Sequence, residues 1–177
     1  MADWLRSPPG RLLLWAAFAM CLILGAAVVI TGREGARPDH PTATFSDEEA
    51  AAQVVTAARR AVAAAQLQRP TGGYAFMPCG ASDGPPFQAV LHMTFSVPQA
   101  NSARHVDDIA TALVADGWDR SAAEGERFGL KLTGEGVTAL VTRDPRRPDS
   151  ATMRLYGECR VADDHSDDDP VWTEVTL

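Results

Sequence analysis

The chain has 177 residues, 46% of them hydrophobic and 22% charged, and a formal net charge of −7. That length holds one domain with some extra chain and excludes a large multi-domain enzyme. The acidic balance excludes a basic, phosphate-tracking surface, so nucleic acid is not an expected partner.

Residues 1–11 form a short leading tail. Leu12 to Ile30 (LLLWAAFAMCLILGAAVVI) then runs apolar without a charge. As a helix this segment spans roughly 28 Å, close to the hydrocarbon core of a bilayer. A secretory signal peptide has a shorter apolar core, about 7–15 residues, closed by a small-residue cleavage site. Gly25-Ala26-Ala27 imitates such a site, but Val28, Val29 and Ile30 carry the run past it. The expectation is an uncleaved signal-anchor over 12–31, a transmembrane helix held in the lipid bilayer through residues 12–30. Cys21 lies inside the run. Lipid modification would want a small residue before it, whereas Met20 stands there, so Cys21 reads as an apolar member of the helix. Arg6 and Arg11 before the run nearly balance Arg33 and Arg37 after it. The short leading tail and large trailing domain place the N-terminus in the cytoplasm and the remainder outside.

Residues 32–45 mix Gly, Pro and polar residues without periodicity and read as a flexible stalk. Lys131 is the chain's only lysine, and arginine supplies the other positive charge. With the abundant alanine, this composition suggests a high-GC, actinobacterial source.

The domain proper is expected over 46–161. Ser46-Asp47-Glu48-Glu49 is a capping-box pattern, with Ser at the N-cap and Glu three residues on. Ala51, Val54, Val55, Ala58, Val62 and Ala65 follow at helical spacing, predicting a helix to about Gln68. Pro70 to Pro86 is rich in turn formers and reads as a loop packed on the core by Tyr74, Phe76 and Met77. Phe87 to Val97 alternates: Phe87, Ala89, Leu91, Met93, Phe95 and Val97 share one face, and Gln88, Val90, His92, Thr94 and Ser96 the other. Asn101 or Ser102 caps a second helix, Val106, Ile109, Ala110, Leu113 and Val114 form its apolar stripe, and Gly117 suits its C-cap. Phe128, Leu130 and Leu132, then Gly134-Glu135-Gly136, then Val137, Ala139 and Val141 make a hairpin. Ala151 to Val161 is the last expected strand. The order α-β-α-β-β-β predicts an α+β fold, an antiparallel-rich sheet with helices on one face. That face should be built from Phe87, Leu91, Phe95, Leu130, Val141 and Leu155.

Residues 162–177 form an acidic C-terminal tail. The run Asp163-Asp164-His165-Ser166-Asp167-Asp168-Asp169 lacks the order of an EF-hand loop and reads as solvated. The closing VWTEVTL can add a short edge strand.

Cys79 and Cys159 are the only cysteines beyond the anchor. Two such cysteines are expected to form a disulfide in an oxidising compartment. The loop it closes, about 80 residues, is worth at most roughly 4–4.5 kcal/mol in the chain-entropy model. No CxxC or CxxH suggests a metal site. A catalytic Cys79 would need His92 or His105 as base, without a supporting local pattern. Glu124, Glu126 and Glu135 could pair as carboxylates, but nothing in the sequence fixes their separation. P-loop, GxGxxG, HExxH and GxSxG motifs are all missing. No catalytic residue, cofactor or metal ligand is therefore expected.

The anchor, the capped helix, a Cys before a strand, the helix ending near Gly117, the hairpin, and Gly157-Glu158-Cys159 closing the final strand form a layout. Over residues 46–161 it resembles the mycobacterial LppA-like envelope lipoproteins of actinobacteria. The chain departs from that family in its anchor, because Cys21 lacks a lipobox. The resemblance implies an extracytoplasmic domain and transfers no catalytic residues. The resulting expectation is a single-pass, membrane-anchored envelope protein whose domain is a non-enzymatic binding or interaction module, with another envelope protein as a partner. The alternatives are an accessory subunit of a larger membrane complex and an envelope hydrolase.

Overall fold

The computed structural model describes residues 44–81, 83–121, 129–143, 146–169 and 172–177. The expected tail and anchor, Cys21, nearly all of the stalk, and Glu124, Glu126 and Phe128 lie outside the described residues. Among the described residues, no helix is long and apolar enough to cross a membrane.

The described residues form two helices and seven strands in the order α1 (Asp47–Ala64), β1 (Gln68–Pro78), β2 (Phe87–Ser96), α2 (Ser102–Ala115), β3 (Asp119–Ser121), β4 (Gly129–Gly134), β5 (Val137–Arg143), β6 (Ser150–Tyr156) and β7 (Thr173–Val175). The strands form one sheet, ordered β3-β4-β5-β6-β2-β1-β7, with every neighbouring pair antiparallel. The α+β class is thus the one read from the sequence. The element order is richer, because β1, β3 and β7 join the strands that alternation marks.

The capping box at α1 is complete. The Glu49 amide donates to Ser46 Oγ at 3.2 Å, and the Ser46 amide donates to Glu49 Oε2 at 2.9 Å. The Ser46 backbone N–H and then its hydroxyl hold the Glu49 carboxyl below its ordinary pKa. Ala50, Ala51, Val54, Ala57, Ala58 and Ala61 are buried along the helix. This small-residue face lets α1 lie close on the sheet.

The expected helix end near Gln68 is corrected. α1 stops at Ala64, Ala65 caps it, and Gln66 adopts a φ of +48° that no helix continues. The chain then turns and enters β1, where a loop over 70–86 was expected. Pro70, Gly72 and Gly73 give this strand the composition of a loop. Pro70 lies where the register with β2 shifts between Gln68 and Thr71, at an irregularity that interrupts the ladder. Gly72 and Gly73 pair normally with Met93 and His92. Only residues 79–86 are loop, an eight-residue connection between paired Pro78 and Phe87.

α2 begins after Asn101, whose backbone is left-handed and whose side chain makes no capping bond. The β4–β5 connection is the two-residue turn Glu135-Gly136, with φ of +49° and +77°. Two positive φ values in succession match the right-handed twist of a tight hairpin, which is why Gly sits there. β6 ends at Tyr156 instead of near Val161. Beyond it the chain bends through Cys159 and returns at Val161, whose amide and carbonyl exchange hydrogen bonds with Phe87 at 3.1 and 2.9 Å.

Phe87, Leu91, Phe95, Leu130, Val141 and Leu155 all belong to the single buried cluster with Val54, Ala58, Ile109 and Leu113 of the helices. The helices therefore cover the face that the large apolar residues predict. The opposite face, carrying His92 and Thr94 of β2, is open.

Candidate binding cleft on the open sheet face

Register alone builds the site. One row crosses the open face as Glu174 (β7), Gly73 (β1), His92 (β2), Arg154 (β6), Leu140 (β5) and Lys131 (β4). The next row runs Thr71, Thr94, Thr152 and Thr142. Thr71 and Thr94 share a hydroxyl–hydroxyl hydrogen bond of 2.9 Å, and Thr142 and Thr152 one of 2.7 Å. Such cross-strand threonine pairs stabilise adjacent strands and leave a hydroxyl-lined surface.

Gly73 is the gap in the first row. A Cβ there would stand 2.7 Å from the Thr173 carbonyl oxygen and 3.2 Å from Trp172 Cβ. The missing side chain lets the 172–175 segment come in against β1. A cleft of about 930 Å³ lies over this part of the sheet, bounded by Thr71, His92, Thr94, Arg154, Trp172 and Glu174 among others. The Trp172 ring sits 5.9 Å from the His92 ring, tilted by 56°, and Trp172 is 40% exposed.

Arg154 Nε donates to His92 Nδ1 at 3.4 Å. Burial first, and then the charge of Arg154, hold His92 below its ordinary pKa. His92 is therefore a neutral ring whose Nδ1 accepts, which leaves Nε2–H as a donor. Arg154 makes no ion pair among the described residues.

The other sequence candidates fall elsewhere. Cys79 and Cys159 form a disulfide with Cα atoms 5.9 Å apart, joining the β1–β2 loop to the bend after β6. A bonded Cys79 offers no thiolate to His92 or His105. Glu135, in the β4–β5 turn, pairs with Arg60, which also holds Asp116 at 3.0 Å. This cluster ties α1 to the end of α2 and raises the Arg60 pKa. No group of His, Cys, Asp and Glu among the described residues could hold a metal ion.

His165 departs from the solvated run that its acidic neighbours predict: its side chain is only 8% exposed. It stacks on Phe76 with centroids 4.1 Å apart and meets Phe87 edge-on at 5.3 Å. Nδ1 contacts Asp168 Oδ2 at 2.7 Å, and Nε2 contacts Asp47 Oδ1 at 3.1 Å. Burial pulls its pKa down, but the hydrogen bonds and charges of Asp168 and Asp47 outweigh this, and the net shift is upward.

The geometry defines a disulfide-tied α+β domain with one helix-covered sheet face and one open, polar, cleft-bearing face. Residues 46–177 match the protein family described as "Putative lipoprotein LppJ". Relatives of that description occur in Mycobacterium tuberculosis and Mycobacterium bovis. Each is 32% identical over 164 residues, covering 90% of this chain and 87% of the relative. The chain belongs to the LppJ family. This is a mycobacterial lipoprotein family, as the sequence layout implied, and its match takes in the last 16 residues that the layout had left out. No solved structure matches the chain.

Proposed function

We propose that this chain is a single-pass, membrane-anchored envelope protein whose domain lies outside the cytoplasm and acts as a non-enzymatic binding module. The observation that carries the reading is the Cys79–Cys159 disulfide, because the cytoplasm keeps such thiols reduced. The apolar run from Leu12 to Ile30 supports an anchor, and the lipoprotein description of the family supports attachment to a membrane. The open cleft supports binding. It gathers hydroxyls, one guanidinium, one imidazole, one carboxylate and an exposed indole.

The test is a topology measurement on the full chain in a bacterial envelope. A phosphatase fused after Leu177 should be active, the protein should fractionate with membranes at full length, and the thiols of Cys79 and Cys159 should resist maleimide until reduced. A mature N-terminus near Val28 would overturn the uncleaved anchor. Incorporation of labelled palmitate that disappears in Cys21→Ser would replace the helix anchor by a lipid anchor. Free maleimide reaction at both thiols would overturn the extracytoplasmic placement. Purification in mild detergent as a stable multi-protein complex would make the chain an accessory subunit instead.

A further inference from the structure

The geometry points to the cleft over Gly73 as a saccharide site, sized for two pyranose rings, that takes a sugar carrying a carboxylate at its Arg154 end. The inference rests on the binding-module reading and names the ligand class of that cleft. Four observations carry it.

The first is the layout of the row. Gly73 places no side chain between Glu174 and His92, and the Thr173 carbonyl and Trp172 Cβ come in there instead, which brings the indole to 5.9 Å from the His92 ring. Glu174 and Arg154 sit on strands three spacings apart, or roughly 14 Å. That leaves room for a ligand lying across the strands, two sugar rings end to end.

The second is the wall. Trp172, 40% exposed as a residue, flanks the slot and is one of only three large hydrophobic residues so exposed among the described residues. An indole presents a flat apolar face with a polar edge, which suits the C–H face of a pyranose.

The third is the polar complement. The slot offers donors and acceptors together: the Thr71 and Thr94 hydroxyls, the His92 imidazole, and the Glu174 carboxylate. A polyol needs this mixture. The lining also includes Pro70, Val175 and Leu177, apolar residues against which the C–H faces of a sugar can lie.

The fourth is Arg154. Its Nε contact to His92 orients the guanidinium, while its remaining N–H groups have no carboxylate partner among the described residues. A planar guanidinium held by one edge is set for a bidentate carboxylate on the other. The chain is acidic overall, so no long-range field gathers anions here, and recognition depends on these local contacts.

The test uses the full-length chain in a polyoxyethylene detergent, which has no sugar headgroup. The probes are the disaccharide glucuronate–N-acetylglucosamine, the neutral disaccharide N,N′-diacetylchitobiose, and acetate alone, read by saturation-transfer NMR and titration. The acidic disaccharide should bind. Arg154→Gln should weaken it about tenfold, the scale of one lost charge-assisted pair, and bring it level with the neutral disaccharide. Trp172→Ala should weaken both disaccharides about tenfold. Lys131→Gln, on the same face beyond Leu140, should change neither. All three positions are solvent-accessible, so unchanged thermal melts should accompany these effects. Absence of binding by both disaccharides would overturn the inference, as would binding that survives Arg154→Gln and Trp172→Ala. Acetate competing as well as the acidic disaccharide would reduce the site to an anion contact and overturn the saccharide assignment. The topology measurement is independent of these outcomes, so the saccharide site can fail while the envelope placement stands.

Discussion

The two faces of the sheet follow different rules. On the helix-covered face, β2 contributes Phe87, Ala89, Leu91, Met93 and Phe95, each at most 2% exposed. On the open face the same strand contributes Gln88, Val90, His92, Thr94 and Ser96, mostly half-buried and mostly polar. The first face is fixed by volume, since a close-packed interior registers even one missing methylene. The second is fixed only where side chains meet across strands, as in the threonine pairs. It is free elsewhere to carry a glycine at position 73, a guanidinium without an ion pair among the described residues, and an exposed Trp172. The covered face therefore makes the fold, and the open face can carry recognition at little cost to stability.

Substitutions on the two faces should separate accordingly. Leu155→Ala, at a fully buried position beside Leu91 and Ala139, should cost about 4 kcal/mol in urea unfolding. Thr94→Ala on the other face should cost under about 1 kcal/mol. Comparable losses at both positions would erase the distinction.

Cys79→Ser with Cys159→Ser should cost about 2–4 kcal/mol. The loss should be local at first. Hydrogen exchange should accelerate at the Phe87 and Val161 amides, which bond across the crossing that the disulfide secures, before β4 and β5 respond.

His165 tests a region that belongs to neither face. Its folded pKa is raised, so its charged contacts to Asp168 and Asp47 stabilise the fold fully below the unfolded value of about 6.5. That contribution is lost as pH rises through the higher folded value. His165→Phe keeps the stack on Phe76 and removes both carboxylate contacts. Thermal melts should show the parent chain losing stability over this window relative to the variant. Parallel pH profiles for the two proteins would show that stacking alone holds the segment.

Gly73→Ala should cost about 1 kcal/mol, because the new Cβ meets the Thr173 carbonyl at 2.7 Å and β7 must shift. Its exchange signature should be confined to residues 172–177. A shift that spread into β2 and β6 would show that β7 and the sheet centre unfold as one unit.

How much of this was legible in the sequence depended on the period and on who completes it. β2 could be read from eleven residues because one strand buried on one face alternates by itself. The capping box could be read because Ser46 and Glu49 satisfy each other within one turn. β1 could not, since its strand character rests on partners: β2 on one side and β7 on the other supply the ladder that Pro70, Gly72 and Gly73 would not suggest. The cleft was equally hidden. His92 was visible as a polar-face histidine, but its neighbours Arg154, Trp172 and Glu174 are brought to it by register across four strands.

The sequence by itself determined the α+β class, the covered face of the sheet, both helix starts within a residue, and the hairpin around Glu135-Gly136. Each of these rests on local periodicity, local capping or a two-residue turn. Only the tertiary structure decided the seven-strand order, the conversion of a Gly-rich stretch into β1, and the burial of His165 within an acidic run. Those outcomes arise from pairings between residues tens of positions apart. Phe76 and Phe87 supply the aromatic walls and Asp47 the distant carboxylate. A charged-looking segment folds inward when distant residues complete its hydrogen bonds, and no pattern within the segment records that they will.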